Sequence, residues 1–80
     1  MKIKATYIGI GGYPWDREVS DKLLTKRETY TVTDVQMGKW RTEIKLEGFD
    51  KSFNAILFTF NNEEAFQKAA EASFIESYGY

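Results

Sequence analysis

Eighty residues, 42% of them hydrophobic, 16% aromatic and 29% charged, describe a single globular domain, 1–80, with room for one modest core. Eleven Lys and Arg against twelve Asp and Glu leave a net charge of -1, which excludes both the basic footprint of a general nucleic-acid binder and the heavy acidity of a nucleic-acid mimic. The chain has no cysteine and no histidine, so disulfides, thiolate or imidazole metal sites and the commonest nucleophiles and general bases are missing; neither an enzyme nor a metal or cofactor is expected.

Residues 2–9 alternate Ile3, Ala5 and Tyr7 against Lys2, Lys4 and Thr6, the pattern of a first strand that stops at the glycines. No apolar run approaches the ~18 residues of a membrane span, and the N-terminus lacks a signal-peptide pattern, so a soluble cytoplasmic protein with no membrane partner is expected. Gly11-Gly12-Tyr13-Pro14-Trp15-Asp16 is a breaker cluster carrying two large aromatics, expected as a surface loop. Residues 17–27 are charged, with Val19, Leu23 and Leu24 as apolar anchors; the spacing permits a turn or two of helix, and a long loop pinned at Leu23 and Leu24 is the preferred reading.

Residues 29–36 are rich in β-branched side chains, but Val35 falls out of phase with Tyr30 and Val32, which a bulge near Thr33-Asp34 would repair. From Trp40 the chain alternates, Trp40, Thr42, Ile44 and Leu46 on the apolar side and Arg41, Glu43, Lys45 and Glu47 on the other. Residues 53–60 are apolar on both faces and read as one strand covered on both sides. The hairpin of these two strands is expected at the centre of a small sheet. In the tail, Asn61 with Glu64 three residues on predicts a helix start. Phe66, Ala69, Ala70, Ser73, Phe74 and Ser77 form one stripe, Ile75 lies on the polar face, and Gly79 ends the helix.

The succession Leu24-Thr25, Tyr30-x-Val32, Trp40-x-Thr42-x-Ile44-x-Leu46 and Ser52-Phe53-Asn54 followed by Phe58 resembles short uncharacterised SH3-like-barrel proteins of phages and prophages of Gram-positive bacteria. The resemblance covers residues 24–58. It implies a compact barrel-like sheet and a viral or mobile-element origin, and it brings no catalytic residues with it. Those relatives commonly carry glycine where this chain has Arg27, so the usual residue of a tight turn is absent there. The fold expected is α+β: a small antiparallel SH3-like sheet of four to five strands with one C-terminal α-helix packed on it.

The possible chemistry is thin. Glu43 and Glu47 share a strand face, but Arg41 and Lys45 alternate with them and suggest cross-strand ion pairing. Gly9-x-Gly11-Gly12 runs into Tyr-Pro-Trp and not into a helix start with Lys and Ser or Thr, so a phosphate cradle is not expected. Tyr13, Trp15 and Asp16 stand out, because aromatics in a loop are the residue types that become interface hot spots; the bland alternative is that Trp15 plugs an open barrel end.

Two functions follow. The first is a non-enzymatic protein-binding module, a phage accessory protein that binds and modulates or inhibits a host protein such as a defence component, with Tyr13, Trp15 and Asp16 as the partner-binding residues. The second is a single-stranded nucleic-acid-binding barrel that uses Lys2, Lys4, Lys39, Arg41 and Lys45 beside Trp40 or Tyr7. A monomer or small homo-oligomer is expected, with Ile75 or the first strand as the self-contact.

Overall fold

The computed structural model describes residues 3–78, with side chains as far as Phe74. Strand β1 (Ile3–Tyr7) buries Ile3, Ala5 and Tyr7 and turns Lys4 to solvent, as its alternation dictates. It pairs antiparallel with β2 (Thr29–Met37) on one side and with β5 (Phe58–Phe60) on the other. The expected bulge is present: the register between β2 and β3 (Thr42–Leu46) shifts between Val32 and Asp34, and this brings both Val32 and Val35 into the core.

The apolar run 53–60 is not one strand. It splits into β4 (Ser52–Asn54), a 3-10 turn (Ala55–Leu57) and β5. The Asn54 side chain accepts a hydrogen bond from the Ile56 backbone N–H at 3.2 Å and starts that turn. The strand order is β4-β3-β2-β1-β5, so the run begins on one edge of the sheet and ends on the other. Phe53, Ala55, Leu57 and Phe58 are buried as the chain passes from one edge to the other, but Ile56, expected under cover with Phe58 and Phe60, is 59% exposed on the outside of the turn. The middle strand is therefore β2, and the β3–β4 hairpin lies at an edge. Three residues of 3-10 helix advance only ~6 Å, so the two edges must curl toward each other. The sheet nevertheless stays open, with no ladder between β4 and β5 among the described residues.

Two helices accompany the sheet. Helix α1 (Pro14–Leu23) replaces the loop expected between β1 and β2, and of the two leucines expected to pin it only Leu24 is buried. Proline at its first position supplies a preset helical φ and has no N–H to leave unbonded. Helix α2 (Glu63–Tyr78) packs chiefly on β2. Its cap is Asn62, whose side chain accepts from the Ala65 N–H at 3.0 Å. Asn61, the expected cap, stays in the sheet: its N–H bonds the Lys4 carbonyl at 3.0 Å and its side chain accepts from the Lys4 N–H at 2.8 Å. Glu64 consequently pairs forward with Lys68 at 3.1 Å. Ala70 is buried, and Phe66 stacks on Phe60 at 3.9 Å between ring centres. The Ile75 side chain and Gly79 lie outside the described residues.

Candidate binding site

The segment joining β1 to α1 has glycine where the backbone needs it. Gly9 has φ +65°, and a Cβ there would lie 2.8 Å from Lys26 Cε; Gly12, also at φ +65°, lies against Ile56 and Leu57 of the 3-10 turn. The chain then extends through Tyr13 into the first turn of α1, where the Arg17 N–H bonds the Tyr13 carbonyl at 3.2 Å. Asp16 in that turn suits the positive end of the helix dipole, and Lys22 in the last turn suits the negative end.

The two faces of α1 are inverted. Asp16, Ser20 and the following Leu24 face the sheet, with Ser20 only 4% exposed. Trp15, Val19 and Leu23, each four residues from the next, share a stripe that faces outward, 61%, 41% and 46% exposed. Trp15 does not plug the sheet. Its indole lies flat against the Tyr13 ring, 4.5 Å between centres and 5° between planes, and Tyr13 is itself 55% exposed. A stacked pair of this kind offers a rigid apolar surface at little cost in conformational entropy.

Polar contacts hold the helix in this orientation. The Asp16 carboxylate accepts from Arg41 Nη1 at 3.2 and 3.3 Å and from Asn54 Nδ2 at 3.3 Å. Arg41 also reaches Glu43 through Nη2 at 3.1 Å, so one guanidinium joins the start of α1 to the turn before β3. Arg17 donates to the Gly11 carbonyl at 2.9 Å. Toward the other end, the Tyr7 hydroxyl donates to Asp21 at 2.6 Å. Burial, then the hydrogen bond to Asp21 and the negative charge of that carboxylate, push the Tyr7 hydroxyl far above the ordinary tyrosine range. Of the three residues expected to touch a partner, Tyr13 and Trp15 are thus displayed side by side. Asp16 turns inward and positions them; its side chain is 14% exposed.

Trp40, expected on the apolar side of the sheet, is 95% exposed. It sits in the turn between β2 and β3, closed by the Gly38 N–H to the Arg41 carbonyl at 2.9 Å, ahead of the first residue of β3. An open groove there is lined by Gln36, Met37, Gly38, Lys39, Trp40, Arg41 and Glu43. Of the cations expected to bind nucleic acid, Lys2 lies outside the described residues, and Lys4 donates to the Thr31 hydroxyl at 2.6 Å. Lys45 stands on the outer face of β3 opposite Asp34, Lys39 is beside Trp40, and Arg41 is shared between two carboxylates. Tyr7 is fully buried and offers no stacking face. Of these cations Lys39 and Arg41 line that groove with Trp40, while Lys4 and Lys45 are not part of it.

Sequence reasoning missed Val19 and Leu23 as surface residues. The available signal was the polar pair Asp16 and Ser20 on the adjacent face, since a helix that buries those turns its apolar stripe outward. Among the described residues, no group of three or more carboxylates is placed to hold a metal, and no helix is long and apolar enough to cross a membrane.

Residues 4–76 match the model of a protein family described as bacteriophage T4 protein Y07B. No curated protein and no solved structure matches significantly.

Proposed function

The chain belongs to the bacteriophage T4 protein Y07B family, and from that premise we propose that it is a non-enzymatic phage accessory protein that binds a host protein through Tyr13 and Trp15 and modulates or inhibits it. The observation that carries this reading is the exposed, coplanar Tyr13–Trp15 stack at the start of a helix that is fixed through Asp16 and Asp21 and not through these rings. Large aromatic rings held together in solvent form an apolar patch, and Trp and Tyr are among the residue types enriched at the hot spots of protein interfaces. Asp16 serves the site as a positioning residue. A compact barrel-like sheet, which the SH3-like resemblance implies, is supported by the curl that brings β4 and β5 within a three-residue turn of each other. The cytoplasm of the infected host is the compartment this function requires.

Affinity capture of the tagged chain from the phage's own host, with Gram-positive lysates run alongside because the resemblance implies such hosts, tests the reading. One host protein retained by the wild type and lost from Trp15→Ala and Tyr13→Ala is the expected outcome. Equal capture by wild type and both variants would overturn it.

The exposure of Trp40 beside Lys39 favours one second reading, base stacking on single-stranded nucleic acid at the β2–β3 turn. Quenching of tryptophan fluorescence by single-stranded DNA or RNA, present at low salt, weakened by added salt and lost in Trp40→Ala, would establish it. No quenching at low salt would remove it.

A further inference from the structure

The outward stripe of α1 carries a charge pattern that selects its occupant. Glu18 and Lys22 lie on the same flank of the Trp15–Val19–Leu23 stripe, 71–73% exposed at their side chains, and face each other within the helix at 3.8 Å. Such a surface pair contributes little by itself. Its arrangement, however, is self-complementary. When two copies of α1 run antiparallel about a two-fold axis at Val19, Trp15 of each faces Leu23 of the other and Val19 meets its own copy. The charged flank is matched about Ser20, and a two-fold axis midway between Val19 and Ser20 serves both sets. Trp15 of each copy then lies within one residue, ~1.5 Å, of the level of Leu23 of the other, and Glu18 within the same offset of Lys22, while the two copies of Glu18 are three residues apart. A uniformly acidic or basic partner would meet one matching and one opposing charge on this flank. A second copy matches both.

We propose that this chain associates with a second copy of itself through antiparallel pairing of α1 along Trp15, Val19 and Leu23, with Glu18–Lys22 pairs between the copies on the flank. The stripe is open to solvent, since α1 is fixed to the rest of the fold by Asp16 and Ser20 on the adjacent face and by Asp21 on the far side. A stripe three residues long falls short of the about 800 Å2 per partner of a standard interface, so association is weak and depends on concentration. The proposal is independent of the host-partner reading, although Trp15 belongs to both surfaces.

Sedimentation of the full chain over a concentration series tests it, with circular dichroism as the check on folding. The wild type is expected to rise from 9.3 kDa toward twice that mass as concentration increases. Glu18→Lys and Lys22→Glu place four like charges across the axis, and each alone is expected to stay monomeric. An equimolar mixture of the two is expected to associate again, as is the double variant, because both restore opposite charges across the axis. A wild type monomeric at every concentration overturns the proposal. So do single charge reversals that associate like the wild type, or a mixture that does not. Host-lysate capture is run on Lys22→Glu as well, so that loss of self-association and loss of a host partner are read separately.

Discussion

The two helices of this small protein are amphipathic in opposite senses. Helix α2 follows the ordinary rule: Ala70 is buried, Phe66 stacks on Phe60, and Glu64, Lys68 and Glu71 face solvent. Helix α1 reverses it, with Asp16 and Ser20 toward the sheet and Trp15, Val19 and Leu23 toward water. A helix of the first kind is held by the water it excludes. One of the second kind is held by hydrogen bonds to specific partners and leaves its apolar surface uncommitted, so the contrast separates a helix that stabilises the fold from one that displays a surface.

The same substitution on each helix gives the largest test of that contrast. Ala70→Asp buries a carboxylate with no partner in a site 2% exposed, and is expected to cost about 4 kcal/mol or more, a large part of the stability of a domain this small. Val19→Asp, at a position 41% exposed, is expected to shift stability by less than about 0.5 kcal/mol. Thermal melts of both variants check this. Comparable losses would mean that the α1 stripe is a core face after all.

Asp16→Ala attacks the polar side of α1. It leaves Arg41 with Glu43 as its carboxylate partner, removes an acceptor from Asn54 and takes the acid from the first helical turn, with an expected cost of about 2 kcal/mol, or ~8–16 °C in Tm. Partial exposure of Arg41 keeps the figure below that of a fully buried pair. Asp16→Asn retains acceptor and shape and is expected to lose less. If alanine were harmless, α1 would be held by something other than this contact.

Tyr7 provides a readout by pH. Its folded pKa is raised, so below the ordinary tyrosine value near pH 10 both folded and unfolded states keep the proton and its contribution to stability is constant. Above that value the unfolded state releases the proton while the folded state retains it. Stability then falls as pH rises, by up to about 1.4 kcal/mol per pH unit. Tyr7→Phe is expected to remove this part of the alkaline slope in urea titrations, at a neutral-pH cost of about 1 kcal/mol for the lost hydrogen bond to Asp21. An unchanged slope would separate Tyr7 from alkaline unfolding.

What was legible in the sequence was local. The alternation of β1 and β3, the phase slip that required a bulge at Val32–Asp34, and the change of period that begins α2 are all decided by neighbours within a few residues. What was not legible depends on distant partners. Asp16 faces inward because Arg41 and Asn54, 25 and 38 residues away, are there to meet it, and no periodicity records that. The break in 53–60 was hidden for a related reason: a run with apolar residues in both alternating sets looks the same whether it is a central strand or a crossing between two edges that leaves Ile56 in solvent. Trp40 followed the alternation of β3 on paper, but the strand starts at Thr42 and leaves the indole in the turn. Of the site, Tyr13 and Trp15 were visible from residue type alone, and the rest of the stripe became visible only once α1 was known to be a helix.

The smallest expected effect isolates the exit of α1 from its surface. Arg27 has φ +73°, a left-handed conformation that a side chain strains and glycine does not. It sits in the third position of a turn closed by the Glu28 N–H to the Thr25 carbonyl at 3.1 Å, and its own N–H bonds the Tyr7 carbonyl at 2.7 Å. The tight turn thus forms at Arg27 without glycine, because two backbone hydrogen bonds hold it. Arg27→Gly relieves the strain but loosens the unfolded chain, and the net expectation is a gain of about 0.5 kcal/mol, or ~2–4 °C. Arg27→Val, β-branched at the same φ, is expected to lose stability. Because Arg27 lies outside the Trp15–Val19–Leu23 stripe, self-association and lysate capture should not change with either variant that folds. A binding change that followed stability in these two variants would mean that the exposed stripe and the fold are coupled, and the division of labour between α1 and α2 would fail.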